Sequence, residues 1–514
     1  MTESFLATRR GKLTLLLLCC VGFMDFVDAS IVNVALPAIR HALHFSDQGL
    51  QWVPSAYLLT YGGFMLLGGR AADLLGRRRV LLTGTIVIGV ASLVGGFAGD
   101  AGVLIGARLA QGAGAALMLP SALSILTTSF TGPDRPKALG VWAAVAGLSS
   151  AAGVLFGGLL TQGPGWRWVM FVNPIACLLL FGPILRLVSA ERRTARAADS
   201  AGPGGDNPPA PPRGYDLPGA ILVTGGMLLL VFALVKAPDQ GWSSGRTIGE
   251  LAGAAVILAI FVVNELRSRN PLLPPSIFRV RGLAAADATQ LIAFAGFASM
   301  FFFITLYMQN VLGYSPIKTG LAYLPLCFAI GFAAGGAGQL LARIGTRPLI
   351  IVGAIVTAGG VYWLSRIPVH GSFLTDLLPG MLVMSVGIGA MFVAVATAAN
   401  AGVRPDQAGL AAALLNSAQQ VGGALGLAVL SAIATARTRS LLPAGAAGPA
   451  SMAHTSPPAA LTAGFGRALL AGSIALAASA IIAVWVANTR DADPADQSQG
   501  GDHAAVAREP HRAV

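Results

Sequence analysis

The composition of this 514-residue chain is typical of an integral membrane protein. Hydrophobic residues make up 55% of the sequence and charged residues only 11%, whereas soluble proteins carry about 25% charged residues. A soluble enzyme is therefore excluded. The net charge of +12 does not indicate nucleic-acid binding, because most of the positive residues lie in alternate loops. The four cysteines lie inside apolar runs, without metal-ligand spacing, and are interpreted as packing residues.

Apolar stretches long enough to cross a bilayer recur along the whole chain. We predict an all-α membrane protein of fourteen transmembrane helices, at residues 13–39, 51–69, 80–98, 102–126, 138–161, 168–188, 217–235, 248–263, 283–312, 319–341, 349–364, 374–400, 408–436 and 465–487. Arg9, Arg10 and Lys12 precede the first stretch as in a signal peptide. The many later spans favour a first transmembrane helix instead.

The connecting segments predict the topology. An even number of spans places both termini on one side, and most of the 34 Lys and Arg fall on that side, which is therefore expected to be cytoplasmic. Segments 190–216 and 488–514 are rich in Pro, Gly and charge, so we expect a flexible cytoplasmic linker and a disordered tail. An unstructured outer loop is expected at 437–464. The predicted division is a cytoplasmic N-terminus (1–12), a six-helix bundle (13–189), the linker, two inserted helices (217–265), a second six-helix bundle (266–487) and the tail.

The sequence contains an internal repeat that supports this division. GRAADLLGRR at 69–78 follows the second span, and GQLLARIGTR at 338–347 follows the tenth, with both glycines and the last arginine in register. Asp73 of the first copy is replaced by Ala342 in the second. If the seventh and eighth spans are an insertion, the remainder is six helices plus six. Two related bundles that face each other are the usual scaffold for alternating access.

Asp25, Asp28 and Arg108 are charged residues that lie well inside predicted spans. Asp25 and Asp28 are on adjacent turns of one face of the first helix, with Asp28 about 22 Å along the helix from Leu13. A charge at such depth costs about 2.5–3.5 kcal/mol, which favours the protonated acid. Arg108 in the fourth span cannot neutralise itself and needs an acceptor, for which Asp25 and Asp28 are candidates. Purely structural roles for all three remain open alternatives.

Several segments carry a resemblance to a known family. They are FMDFVDASIVNVALPAI (23–39), QWVPSAYLL (51–59), GGRAADLLGRRRVLLTG (68–84), ARLAQGAGAA (107–116), WRWVMFVNPI (166–175), LYMQNVLGYSPIKTGLAYLP (306–325) and NSAQQVGGALG (416–426). In these segments the chain resembles the major facilitator superfamily, specifically its fourteen-helix drug:proton antiporter branch. The resemblance implies the major facilitator fold, with two pseudo-symmetric six-helix bundles and two inserted helices.

The resemblance also implies roles for individual residues. Asp28 matches the acidic residue of the first-helix motif, Asp25 is an addition to it, and Arg108 begins the fourth-helix motif R-x-x-Q-G. These three are the predicted proton-coupling residues. A cytoplasmic latch between the bundles is expected at Gly69, Asp73, Gly76, Arg77 and Arg78, for which an ordinary positive loop is the alternative.

The fifth helix departs from the antiporter pattern. Gly153, Gly157 and Gly158 match its helix-packing glycines, but Val154 stands where that branch has proline. The direction of transport is less constrained as a result.

Further polar residues are candidates for a central cavity that binds substrate. They are Asn33, Tyr57, Gln309, Asn310, Asn416 and Gln420, although several of these side chains could instead join helices by hydrogen bonds. Asp287, near the cytoplasmic end of the ninth span, is either a second protonation site or, more simply, a solvated end-of-helix residue.

The resemblance implies a proton-coupled exporter of lipophilic, cationic drugs or antibiotics in the plasma membrane. A proton-coupled importer or uniporter of a small metabolite and a non-transporting membrane sensor are the alternatives. The sequence has no Walker-type loop for ATP, no catalytic constellation, no cofactor motif and no metal-ligand cluster. The expected partners are a lipophilic small molecule, protons and the lipid bilayer, with no nucleic acid, and the chain is expected to be a monomer.

Overall fold

A computed structural model describes residues 5–46, 49–130, 134–188, 216–268, 271–280, 282–401, 403, 408–441 and 457–488. These residues form fourteen α-helices: α1 (Arg9–Leu43), α2 (Trp52–Leu75), α3 (Arg77–Gly96), α4 (Ala101–Ser129), α5 (Asp134–Gln162), α6 (Arg167–Leu187), α7 (Leu217–Gln240), α8 (Gly245–Arg267), α9 (Leu283–Leu306), α10 (Pro316–Ile344), α11 (Thr346–Leu364), α12 (Leu378–Asn400), α13 (Ala408–Leu441) and α14 (Pro457–Ile482). Twelve helices in this part of the chain are long and apolar enough to cross a membrane. The predicted all-α membrane fold is confirmed.

The helices form two bundles with the same packing pattern. In the first bundle, α1–α6, helix α1 packs on α4, α5 and α6, while α4 packs on α2 and α3, and α3 packs on α6. In the second, α9–α14, the corresponding helices make the same pairs: α9 on α12, α13 and α14, α12 on α10 and α11, and α11 on α14. The two halves are therefore pseudo-symmetric, as the internal repeat predicts.

Glycines at equivalent junctions show the repeat at residue level. Gly76 joins α2 to α3 with φ +95°, and Gly345 joins α10 to α11 with φ +82°. A side chain is strained in this region of backbone space, which explains why both copies of the motif keep glycine there. Basic residues follow both junctions, at Arg77 and Arg347. We call the end of the molecule that holds these junctions and the start of α1 the basic end, and the opposite end the far end.

Of the inserted pair, α7 packs against α2 and α13, at one edge of the contact between the bundles, and α8 packs on α7. Asp216 caps α7 by accepting from the Gly219 backbone N–H at 2.8 Å, and Asn264 of α8 donates to both Asp216 carboxylate oxygens at 3.0 and 2.8 Å. Glu265 accepts from the backbone N–H of Leu273 at 2.9 Å. Buried acids thus tie the inserted pair to the segment that leads into α9.

The bundles contact each other chiefly through α5 with α10 and α2 with α13. At the far end a Cβ on Gly158 would lie 2.7 Å from the Pro316 carbonyl oxygen, and one on Gly320 would lie 2.5 Å from that of Val154. Backbone contact this close requires glycine. Gln309 also donates to the Val34 carbonyl oxygen at 2.9 Å, which joins α9's end to α1. The far end is therefore closed between the bundles.

The two bundles diverge toward the basic end. Gly331 and Gly338 follow Gly320 by 11 and 18 residues, so at about 100° per residue all three lie on one face of α10. Gly320 touches α5, whereas a Cβ added to Gly331 or Gly338 would meet no atom of the described residues within 4 Å. Helices α5 and α10 are therefore in contact on this face near Gly320, and they have separated by the middle of the span.

The predicted boundaries require one correction. The segment 437–464 was expected to be an unstructured loop, but α13 continues to Leu441 and α14 begins at Pro457. Arg439 donates to the Pro238 carbonyl oxygen at 3.0 Å, and this contact supports the extra turn of α13. The linker at 190–215 and the tail from 489 onward lie outside the described residues, so their predicted character stays a prediction.

Candidate functional site

Arg108 lies on α4, two turns from its start, and is 1% exposed. Its Nη1 donates to Asp28 Oδ2 of α1 and to Gln111 Oε1 of α4, each at 2.9 Å. Its Nε donates to the Val53 carbonyl oxygen at 3.1 Å, and its guanidinium carbon lies 4.3 Å from the centre of the Tyr57 ring. The sequence left two roles open for Arg108, pairing with an acid and a structural role. Both hold in part, because the guanidinium pairs with Asp28 and also binds the Val53 backbone carbonyl.

Asp28 has a hydrogen-bond donor at each carboxylate oxygen. Arg108 serves Oδ2, and Asn173 of α6 donates from Nδ2 to Oδ1. Ser92 of α3 completes this network, because its Oγ accepts from Gln111 Nε2 and, at 3.3 Å, from Asn173 Nδ2. Helices α1, α3, α4 and α6 therefore meet at one satisfied buried ion pair, and charge-assisted hydrogen bonds of this kind are the strong ones.

Asp25, one turn earlier on α1, has a different environment. Tyr57 donates its hydroxyl to Asp25 Oδ1 at 3.3 Å, and Tyr61 donates to Oδ2 at 2.8 Å. Arg108 forms its ion pair with Asp28, and no ion pair is seen at Asp25 among the described residues. Tyr57 links the two acids physically, because its ring lies under the Arg108 guanidinium while its hydroxyl reaches Asp25.

The structure brings the three predicted proton-coupling residues together and assigns Asp28 as the partner of Arg108. Tyr57 was expected to line a substrate cavity, but it is 2% exposed and belongs to this buried cluster. Sequence reasoning missed Tyr61, Ser92, Gln111 and Asn173. Gln111 stands in R-x-x-Q-G and Asn173 in WRWVMFVNPI, so the segments that carried the resemblance already contained both.

The glycines of α5 position α1 beside this cluster. A Cβ on Gly153 would collide with the Ser30 hydroxyl oxygen, and one on Gly157 would lie 2.6 Å from the Ile31 carbonyl oxygen. Gly158 faces α10 instead. Helix-packing glycines thus hold α5 between α1 and the second bundle, although Val154 occupies the place of the motif proline.

The predicted latch is only partly described. A Cβ on Gly69 would lie 3.9 Å from Pro120, Arg77 donates to Thr128 Oγ1 at 2.8 Å, and Arg78 is partly exposed. The side chain of Asp73 lies outside the described residues. The contacts seen here are within the first bundle, so the latch stays a prediction.

The remaining cavity candidates lie on α1, on the turn after α9 and on α13, and a shared cavity stays a prediction. Asn33 and Asn416 each donate to a carbonyl oxygen four residues earlier in their own helix, at 3.2 and 2.9 Å. Gln309 holds the far-end contact with α1, Asn310 is partly exposed, and the Gln420 side chain packs on Gly62 of α2.

Asp287 of α9 is buried, at 7% exposure. The expectation of a solvated residue at the end of a helix is therefore wrong. Neither of its carboxylate oxygens has a hydrogen-bond partner among the described residues.

Comparison with known proteins gives one consistent family. The sequence model of the Major Facilitator Superfamily matches residues 18–427. The chain is 40% identical to the puromycin resistance protein pur8 of Streptomyces alboniger, over 83% of this chain and 82% of that protein. It is 37% identical to the cephamycin export protein CmcT of Amycolatopsis lactamdurans, over 82% and 85%, and 35% identical to the lincomycin resistance protein of Streptomyces lincolnensis, over 82% and 84%.

Solved structures agree on the fold. A bacterial homologue of the human lysosomal transporter Spinster, in an inward-facing and occupied conformation, superposes with a TM-score of 0.60 at 17% identity, covering 93% of this chain and 97% of that one. A D-xylose-proton symporter superposes with a TM-score of 0.61 at 13% identity, covering 93% and 98%. At this identity the likeness concerns the fold alone. Together with the family model and the close relatives, it shows that the chain belongs to the Major Facilitator Superfamily.

Proposed function

We propose that this chain is a secondary active exporter that moves lipophilic antibiotics or other drugs out of the cell in exchange for protons. The observation that carries the proposal is the buried cluster of two acids and one cation at Asp25, Asp28 and Arg108. The similarity to resistance and export proteins supports small-molecule efflux. The fold supports alternating access between two related bundles.

Charge counting explains how the cluster carries a proton. With both acids ionised, the group has a net charge of −1 in a site that excludes water, and an uncompensated buried charge is costly. One proton makes the group neutral. Asp25 is the acid that receives it, because Arg108 and Asn173 already serve Asp28, whereas Asp25 meets two hydroxyl groups that can turn to accept.

Tyr57 gives the cluster a means of coupling. A shift of α1 against α2 and α4 changes the hydroxyl contact to Asp25 and the ring contact to Arg108 together. Because α1 also touches α5 through Gly153 and Gly157, such a shift follows from rocking of the two bundles. Proton release and bundle movement are thereby linked through packed side chains.

We assign the basic end to the cytoplasm, which places both termini inside and makes the observed conformation inward-facing. In this state the far-end contact of α5 with α10 seals the outer side, and the divergence of α10 opens a path for a cytoplasmic drug. The retained glycine contacts of α5 favour the antiporter arrangement over an importer, despite Val154. The chain acts as a monomer in the plasma membrane, since the helices of both bundles complete a shared core within one chain.

Transport in everted vesicles tests the proposal. Ethidium serves as a fluorescent cation, and the native chain is compared with Asp28→Asn and with Glu250→Gln, which removes an acid from the pair with Arg246 at the start of α8. We expect accumulation of ethidium that an uncoupler abolishes in the native chain and in Glu250→Gln, with accumulation at background in Asp28→Asn at equal protein level. Full uphill transport by Asp28→Asn would contradict the proposed coupling.

A further inference from the structure

The second bundle contains a buried carboxyl group that the proton cluster does not use. Asp287 lies on the second turn of α9 in the basic half, at 7% exposure, and both of its oxygens are without a hydrogen-bond donor among the described residues. One turn later Gln290, at 3% exposure, donates from Nε2 to Gln419 Oε1 of α13 at 2.9 Å, while its own Oε1 has no partner in the same part of the chain. Three unpartnered acceptor atoms therefore lie on adjacent turns of one helix face.

No positive side chain described on the neighbouring helices accounts for these acceptors. Helices α12, α13 and α14 pack on α9, and their described residues include three charged side chains, Arg437, Arg439 and Arg467, all in the far halves. The short helix Pro275–Arg279 also packs on α9, and its Arg279 is exposed. At the basic end Arg347 of α11 donates to the Val486 carbonyl oxygen at 3.0 Å. The acidic residues of α1, Asp25 and Asp28, belong to the cluster of the first bundle.

Aromatic rings continue the same stripe of α9. Phe294 follows Asp287 by seven residues, which is two turns on one face. Its ring centre lies 5.7 Å from that of Phe297 and 6.2 Å from that of Phe392 of α12, and Phe297 lies 5.0 Å from Phe301. These four rings are partly exposed, so they present an apolar aromatic surface beside the acceptor group.

The stripe also borders the contact between the bundles. Gly422 of α13 packs against Leu291, and a Cβ on Gly62 of α2 would lie 3.2 Å from the Ser417 carbonyl oxygen. Ser417 Oγ is itself buried without a partner among the described residues. A ligand held on this stripe would therefore lie next to α2 of the first bundle and respond to its movement.

We propose that Asp287, Gln290 and the rings of Phe294, Phe297, Phe301 and Phe392 form a binding site for the protonated amine and aromatic group of a drug. This inference rests on the proposed function and names the class of its cargo. An ammonium group supplies N–H donors and a positive charge, which are what the acceptors lack. The adjoining rings bind flat apolar groups and stabilise a nearby cation.

The charge balance of the site is the same with and without cargo. In the conformation described here Asp287 is neutral, because a buried carboxylate without donors or a cation is strongly disfavoured. When an amine cation arrives, the proton on Asp287 leaves through the open basic end to water, and the ammonium–carboxylate pair replaces the neutral acid. Amine binding therefore releases one proton, whereas a neutral analogue releases none.

Equilibrium binding of puromycin and N-acetylpuromycin to the purified full-length protein tests this site. The two probes share their aromatic groups, but only puromycin carries a basic amine. The proteins compared are the native chain, Asp287→Asn, Asp287→Glu and the matched control Glu250→Gln. Both the dissociation constant and the protons released into weak buffer are measured, because loss of proton release would not follow from a merely structural role.

We expect Asp287→Asn to weaken puromycin binding about tenfold or more, as for the loss of a buried ion pair, and to abolish its proton release, with N-acetylpuromycin unaffected. Asp287→Glu should restore part of the puromycin affinity and part of the proton release, and Glu250→Gln should match the native chain in both measurements. Equal puromycin binding by the native chain and Asp287→Asn overturns the inference, as does native protein that binds no puromycin. If either result is found while the native protein still drives ethidium efflux with protons, the inference fails but the proposed function stands.

Discussion

The two bundles share their helix packing but differ in what they bury. In the first, α1, α2, α3, α4 and α6 enclose two acids, one of them paired with Arg108, and the oxygen atoms of both acids all have donors. In the second, the equivalent interior holds aromatic rings and Asp287, whose oxygens have none among the described residues. Glycines at the two repeat junctions adopt similar positive φ values, +95° and +82°. The duplicated scaffold therefore carries two different kinds of chemistry.

This difference indicates that the two bundles have different roles. A satisfied polar network has a defined geometry and is costly to disturb, so it suits a proton switch that must hold two discrete states. An acceptor group without donors next to aromatic rings suits a variable ligand that brings its own donors. The first bundle is thus expected to tolerate few substitutions in its interior, and the second more.

Removal of the buried cation should have the largest effect. Arg108→Ala leaves Asp28 in the interior without its partner, and breaking a buried pair in this way costs about 3–5 kcal/mol. We expect transport at background and a clear fall in the thermal unfolding temperature of the purified protein. Arg347→Ala in the second bundle removes one hydrogen bond to a carbonyl oxygen and should cost only about 1 kcal/mol. Equal destabilisation by the two would remove the proposed contrast between the bundles.

The contact between the bundles should give an intermediate effect. Gly320→Ala places a Cβ 2.5 Å from the Val154 carbonyl oxygen, whereas Gly336→Ala on the same helix meets no atom of the described part of the chain within 4 Å. We expect Gly320→Ala to hold the far end apart and to slow transport about tenfold, since packed interfaces do not deform continuously. Gly336→Ala should transport normally.

Spin labels at Gln162 and Lys318 measure this change directly, because Gln162 accepts from the Ile317 backbone N–H at the far end. The distance between the labels should lengthen in Gly320→Ala and stay at the native value in Gly336→Ala. An unchanged distance in both variants would mean that the far end is closed by other contacts.

The fold was predictable because the bilayer imposes its own rule on the sequence. Each span needs about 20 apolar residues, so the helices can be located without any tertiary information. The ends of α13 and α14 were not predictable in this way, since outside the bilayer a helix of Ala and Arg competes with a loop of the same composition. Contacts such as that of Arg439 with Pro238 decide the outcome, and they join residues far apart in sequence.

The candidate site was predictable only where a charge interrupts an apolar run. Asp25, Asp28 and Arg108 stand out for that reason, and their proximity follows from the packing of α1 on α4. Ser92 and Asn173 do not stand out, because neutral polar residues occur throughout these helices and only the rotation of each helix selects the ones that meet. The same rotation hides Tyr57 in the cluster and buries Asp287, whose sequence position alone indicates a helix end.

The smallest expected effect concerns the repeated junction. Gly76→Ala and Gly345→Ala each force a side chain into a backbone region that favours glycine, at a cost of about 1–3 kcal/mol. The two variants should therefore lose similar thermal stability. Transport should fall further in Gly76→Ala, because the motif with Asp73 is the predicted latch, whereas the second copy has Ala342 at that position. Similar transport by both variants would reduce the motif to a shared structural turn, since strain at the junction would then explain its presence in both halves of this chain without any latch.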